Sequence, residues 1–498
     1  MMRIVAVVVL VSVAQLCWSA DSLDPGIASK PTVVAAKDAS DDLPTSRDAL
    51  FGDDDESDKP AESTTQPAPG SAAEATSREA LFGEEEESPK PATKSSQFYA
   101  EGFEGFLQFE LARTTAAPVH WTKMRTRAEV GSHGGLGDGL KWKASVRLDY
   151  DAVYDHTNYY PSNVAHDQRS EATLREAYVD AGAGDWDFRF GHQNVVWGEM
   201  VGLFFADVVS ARDMREFILP DFDVMRLPQW AARAEYFKGD YHADFVWIPV
   251  ATYDNIGKPG AEFYPYQPVL PGFTAQYRNE VTPSRNQDHG NYGVRLSALK
   301  NGWDMSGFYY SSMDVQPTFY RQIVGSNMIF EPRHNRIEQV GGTVSNDLGF
   351  AVLRGEAVYT RGRSYAVLNV TDPDGVVRQN TLDWAAGLDF TLPADTRLNV
   401  QLFQRTYFSH NPDIIFDRNE NGYSLRLTKK LGSNWEAQAT WIASLNRTDW
   451  LFRPRVQWNF ERNWRLAIGA DIFDGPPLGL FGQYANRDRV YSEVRYSF

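Results

Sequence analysis

From Gln97 to the end of the chain, apolar residues recur at every second position. In Lys141–Tyr150 the residues Trp142, Ala144, Val146, Leu148 and Tyr150 share one face, while Lys141, Lys143, Ser145, Arg147 and Asp149 take the other. Trp464–Ile472 repeats the pattern, with Trp464, Leu466, Ile468, Ala470 and Ile472 opposite Arg465, Ala467, Gly469 and Asp471. A period of two belongs to strands and excludes amphipathic helices. Eighteen such segments lie at 102–112, 121–131, 139–153, 172–182, 185–191, 230–239, 241–249, 290–299, 302–312, 336–346, 349–360, 380–391, 395–407, 421–430, 433–444, 450–460, 463–473 and 487–498. A tilted strand that crosses a bilayer needs ~9–11 residues, and most of these segments are at least that long.

The links between segments alternate in length. Lys238-Gly-Asp240, Lys300-Asn-Gly302, Leu392–Asp395, Leu431–Asn434 and Glu461-Arg-Asn463 are tight turns; 192–229, 250–289, 313–335, 361–379 and 474–486 are long. Short turns on one side and long loops on the other form the plan of an outer-membrane barrel. The expected fold is therefore all-β: a transmembrane antiparallel β-barrel of about eighteen strands over residues 98–498, with outer-membrane lipid against its apolar face. An even count puts both ends on the short-turn, periplasmic side. In the last segment Val490, Val494, Tyr496 and Phe498 share a face. A terminal Phe on an alternating strand resembles the signal read by the bacterial barrel-assembly machinery, so Phe498 is the expected contact. A soluble sheet this large, with so many exposed apolar faces, would aggregate.

Charge and aromatic residues occupy different parts of the chain. The net charge is −17, and the 14 Trp, 23 Tyr and 29 Phe are many for a chain of mean hydropathy −0.44. Residues 1–20 read as a secretory signal, with Arg3 before the apolar run Ile4–Ala14 and cleavage near Ser19 or Ala20. That run is too short for a spanning helix. Residues 21–97 hold 18 Asp+Glu against 7 Lys+Arg, dominated otherwise by Pro, Ser, Ala and Thr. Such a segment is expected to be disordered and periplasmic. It carries a repeat, Thr45-Ser-Arg-Asp-Ala-Leu-Phe-Gly52 and Thr76-Ser-Arg-Glu-Ala-Leu-Phe-Gly83, each followed by an acidic run and Lys-Pro-Ala. Each copy opens with a capping box and ends in Gly, so one helical turn would present Leu50 and Phe51, or Leu81 and Phe82. Residues 45–92 are thus read as docking peptides for a periplasmic or inner-membrane exporter partner. The sole Cys, Cys17, excludes a disulfide scaffold and a Cys-rich metal site. The acidic balance argues against nucleic acid as a partner.

The face opposite lipid lines the lumen and carries both signs. Early segments give Arg125, Arg127, Glu129, Lys143, Arg147 and Asp149; late ones give Arg405, Arg426, Arg453, Arg455, Arg465 and Arg495. The late arginines could form a basic stripe that draws anions. Pairing with Glu436, Asp471 and Glu493 is the alternative, and the barrel's own −7 favours it.

The link after the fifth segment is too long and too charged for a plain surface turn. Arg212, Asp213, Arg215, Glu216, Asp221, Asp223 and Arg226 are expected to fold inward, pair with the wall and narrow the pore, and Trp197-Gly198 suits the bend where the chain leaves the wall. The string Arg189-x-Gly191-x-Gln193, Trp197-Gly198-Glu199, Asp207 and Leu219-Pro220 resembles a family of proteobacterial outer-membrane barrels whose domain has no assigned function, related in style to porins and the alginate exporter. The resemblance covers roughly 98–498. It implies a substrate channel that moves lipids or hydrophobic compounds alongside a resistance-nodulation-division type exporter.

No Gly-x-Ser-x-Gly or His-Glu-x-x-His string occurs, so no barrel-embedded hydrolase is expected, and no cofactor or metal. Asp417-x-Asn419-x-Asn421-Gly422 lacks the closing Glu of a calcium loop, since Thr428 stands there, and reads as an Asx turn. Gly134–Gly139 joins two strands and reads as a turn. A surface adhesin or assembly scaffold is the other functional class, with 250–289 and 313–335 as its binding surface. The expected function is an outer-membrane channel for small molecules, lipidic, hydrophobic or anionic.

Overall fold

The computed structural model describes residues 98–498, except 138, 199, 201–204 and 286. The signal segment, the acidic segment and its repeat residues Leu50, Phe51, Leu81 and Phe82 lie outside the described residues, as does Glu199.

The eighteen segments form one antiparallel sheet, each strand pairing with its sequence neighbour. The sheet closes on itself, because Tyr99–Thr114 pairs with Arg489–Ser497 from Phe106↔Ser497 to Thr114↔Arg489. Closure leaves no lipid-facing edge of the kind an open sheet would present. The terminal Phe498 seals the turn end of this seam, exchanging both backbone hydrogen bonds with Gly105 at 3.0 Å.

Burial alternates along each strand. Leu107, Val146, Leu148, Phe190, Phe245, Leu296, Val340, Leu425, Ile468 and Val490 point outward and are exposed, while Gln108, Arg127, Arg147, Asp383 and Asp471 are buried on the inner face. With lipid outside and water inside, that is the reverse of a soluble core. Aromatic pairs mark both rims. Trp435 stacks on Trp458 at 5.2 Å near the turn end, and Trp441 on Trp450 at 4.6 Å near the loop end. Such girdles sit at the two membrane interfaces.

Two local expectations change. The second strand continues to Gly137, so Gly134–Gly137 is ladder and only the end of that glycine run turns. A Cβ at Gly134 would overlap the Tyr99 carbonyl, which is why strand can persist there only without side chains. The long links also hold strands of their own: Thr274–Tyr277, Asn327–Arg333 and Thr318–Val324 form a three-stranded sheet. Its Tyr277 and Phe330 rings stack at 5.3 Å, with Phe319 and Tyr264 buried beside them. The Tyr- and Phe-rich loops therefore pack much of their aromatic surface on themselves.

Gly191 is the glycine of the Arg-x-Gly-x-Gln string. Its φ of 134° is closed to other residues, and a Cβ would overlap the Ala177 carbonyl across the ladder. Gly191→Ala is expected to cost at least ~2 kcal/mol and to lower the folded fraction seen as heat-modifiable gel mobility. Wild-type mobility would mean the neighbouring strand yields.

Candidate functional site

The fifth strand, Trp186–Gln193, and the sixth, Gln229–Lys238, are ladder partners down to Gln193↔Gln229. The chain between them leaves the wall and crosses the lumen. Its composition dictates that course: Val195, Trp197, Met200, Val209, Phe217, Ile218, Leu219 and Met225 are all nearly fully buried. Each side chain of this size gains ~1.5–3 kcal/mol by leaving water, which a surface excursion would forfeit.

The exit is fixed by Trp197. Its indole N–H donates to Asp244 at 2.9 Å, and Asp244 takes two further hydrogen bonds from Arg233 at 2.9 and 2.8 Å. The Trp197 ring packs on Phe308 and Tyr310. Beyond it, the Met200 and Ala206 N–H groups donate to the Glu356 carboxylate on the far wall, at 2.8 and 2.9 Å. Asp207 is buried and accepts from Ser210 at 3.1 Å and Arg226 at 3.3 Å.

The chain then turns back. Ala211–Arg212 pairs with Arg226–Leu227 as a short ribbon, and the Arg212 N–H donates to Asp254 at 2.7 Å. Arg215 bridges Asp213 and Glu171, both at 2.6 Å. Burial alone would raise the Asp213 carboxyl, but Arg215 outweighs it and holds it below the usual range. Asp223 pairs with Arg226 at 2.9 Å.

The tip of the loop meets the part of the wall that spans the closing seam. Glu216 contacts Lys123, Arg125 at 2.7 Å and Arg489 at 3.3 Å. Burial would raise its carboxyl, yet Arg125, Lys123 and Arg489 hold it well below the usual carboxylate range. Phe217, next to it, has left-handed backbone (φ 57°) and packs among Phe473, Phe481 and Tyr484. A bulky residue in that region is strained, and the surrounding contacts hold it there. Arg453 donates to the Leu219 carbonyl at 2.6 Å, Arg147 to Val224 at 3.0 Å, and Arg175 to Asp223 and Arg226 at 2.7 and 2.6 Å. Wall arginines thus hold the loop largely by its carbonyls.

The six late arginines do not make one surface. Arg405 is buried in a pair with Asp383. Arg426 faces Thr440, which in turn faces Arg453. Arg453 and Arg489 share Asp471 at 2.9 and 2.8 Å. Arg455 and Arg465 face Asp221 of the loop at 3.7 and 3.8 Å, and Arg465 also pairs with Glu493 at 3.2 Å. Arg495 lies over the Phe106 ring at 3.8 Å. Arg453, Arg455, Arg465 and Arg495 are therefore grouped near the loop tip, with Arg405 apart. The early charges pair with one another: Arg125 with Glu110, Arg127 with Asp149 and Arg147 with Glu129, at 2.6, 2.6 and 2.8 Å.

Above the tip, other loops close over the mouth. Phe263 of the long link after the seventh strand packs on Phe473 and Tyr484, and the Tyr484 hydroxyl donates to the Phe263 carbonyl at 3.2 Å. Glu262 accepts from Tyr160 at 3.0 Å and faces His120 at 3.1 Å and Arg487 at 3.2 Å.

Glu356, Asp244, Arg175 and Arg489 are site residues that sequence reasoning did not single out. Arg175 and Arg489 stood on alternating strands among many charges. Glu356 lies on Val352–Ala366 across the lumen and Asp244 on Tyr241–Val250, two strands along the ladder from the exit, and neither register shows in the sequence. Asp417, outside this site, accepts from Asn446 and Arg447, both at 2.9 Å, as part of a loop tie. No group of three or more His, Cys, Asp or Glu that could hold a metal ion occurs among the described residues.

A closed eighteen-strand cylinder, apolar outside and charged within, crossed by a loop after its fifth strand, is an outer-membrane barrel of porin-like architecture. The chain belongs to the family described as "Protein of unknown function (DUF1302)", whose model matches residues 120–400. No curated protein matches it. Among solved structures, OccAB1 of Acinetobacter baumannii is similar at a TM-score of 0.50 and 8% identity, covering 80% of this chain and 95% of that one. OccAB2 of the same organism gives 0.49 at 9% identity, over 80% and 97%. OccK8 (OprE) of Pseudomonas aeruginosa gives 0.48 at 8% identity, over 80% and 97%. At such identities the likeness speaks for the fold alone.

Proposed function

We propose that the protein is a non-enzymatic outer-membrane channel for small polar solutes, anions among them, with residues 194–228 setting its passage. The observation that supports this most is the loop tip held against the seam wall by Glu216 and by Arg453. A solute that passes there meets guanidinium and carboxylate groups, which suit a hydrated ion or acid. A lipid would have to cross that charged field, so the lipidic permeants implied by the resemblance are the weaker reading. The adhesin reading has less support, because much of the aromatic surface of its loops is packed internally.

Tyr99 begins the first strand at the turn end, which supports a periplasmic place for the acidic segment and for exporter docking through 45–92. The exposed ring of Phe498 on the same rim suits contact with the assembly machinery. The test is the full chain in planar bilayers. Discrete conductance steps with a reversal potential favouring anions are expected; silence from both the wild type and a loop-deleted protein would overturn the channel reading.

A further inference from the structure

We infer that Arg455 and Arg465, with Arg495 beside them in the ladder, form a binding site for a carboxylate, and that Asp221 is the chain's own occupant of it. The inference rests on the channel reading and names a class of permeant for it.

Arg465 and Arg495 are direct cross-strand partners, both on the inner face. Like charges opposite one another destabilise a sheet unless an anion lies between or beside them. Glu493 of the wall serves Arg465 at 3.2 Å. The other carboxylate comes from the loop: one Asp221 oxygen faces the Arg455 guanidinium at 3.7 Å and the other faces Arg465 at 3.8 Å. These are ion-pair contacts, longer than the bidentate hydrogen bonds a guanidinium makes with a carboxylate that fits it, so a free carboxylate has closer contacts to gain there than Asp221 makes. Asp221 follows Pro220 on a crossing loop, so this anion is carried by an element that is not part of the ladder. A free carboxylate and Asp221 compete for the same two arginines. The tethered group has the advantage of an effective concentration in the millimolar range or above. When the free acid wins, the loop tip loses one of its contacts with the wall, so the permeant loosens the element that obstructs it.

Acetate is the probe and chloride the control, with the full-length protein. Conductance is measured against salt concentration in bilayers, and acetate binding by calorimetry on the folded protein in detergent. Asp221→Asn is expected to lower the half-saturating acetate concentration at least about tenfold, while chloride conductance rises without saturating. Adding Arg455→Gln should remove the saturation. Superposed acetate and chloride curves with no acetate heat in Asp221→Asn would overturn the site. Conductance without acetate binding overturns the site and spares the channel; acetate binding without conductance does the reverse. Should Asp221→Asn not fold, Arg465→Gln in the wild-type background decides instead: acetate binding at high concentration must be lost, and its retention overturns the site.

Discussion

Deleting residues 206–224 is expected to raise single-channel conductance about threefold or more, since the excised stretch obstructs the lumen. The deletion takes out Glu216, Leu219 and Asp221, and with them the contacts to Arg125, Arg489, Arg453, Arg455 and Arg465. It leaves the ladder whole. Gln193 and Gln229 are neighbours in the sheet, so a shorter connection closes between them without strain and at a lower entropic cost. The measurement is step size in planar bilayers, with gel mobility confirming the fold. An unchanged step would mean that ions do not pass the loop tip.

Glu216→Gln is the second large effect, and it tests the same element through one side chain. The substitution keeps the shape of the side chain and removes its charge. Lys123, Arg125 and Arg489 then share one fewer carboxylate, with Glu110 still beside Lys123 and Arg125. The local charge becomes more positive by one, and removing one partner of a buried pair costs ~3–5 kcal/mol. The loop tip should detach part of the time, giving larger, flickering steps, and the reversal potential should move toward anions. The pH dependence follows from the same group. Glu216 is held well below its ordinary value, so its contribution to closure is complete above the ordinary carboxylate pKa and is lost only as pH falls through the depressed one. The wild type should keep constant conductance from neutrality through ~4.5, the ordinary Glu value, and open only in stronger acid. Opening near pH 6 would place the latch on some other group.

Nearly all of the fold is legible in the sequence. Each of the eighteen periodic segments corresponds to one barrel strand, because lipid outside and water inside force an alternation that no other environment imposes for so long. What escapes is local. Glycines that read as a turn at 134–137 are strand, because absence of a Cβ allows both. The short strands 274–277, 318–324 and 327–333 show no period, the first for its length and the others because apolar residues stand consecutively at Phe319-Tyr320 and Met328-Ile329-Phe330. The inward course of the loop is foreshadowed by its length and its charges, and Trp197 by its place before Gly198. Its partners are not foreshadowed: Asp244 comes from two strands along the ladder and Glu356 from across the lumen, and neither register shows in the sequence. The late arginines all stand at inward positions of their strands but not in one neighbourhood, so reading them as one stripe merges Arg405, buried against Asp383, with a group some strands away.

The closing seam has a consequence for how the protein is made. Its two strands stand at opposite ends of the described chain, and Phe498 supplies the final pair of bonds to Gly105. The cylinder therefore shuts only when these two strands, the farthest apart in the described sequence, have met. Until they meet, each presents an unpaired ribbon edge. Their contact has the largest sequence separation in the ladder, so it is expected to form late, after the neighbour-to-neighbour pairings that bring the two strands together.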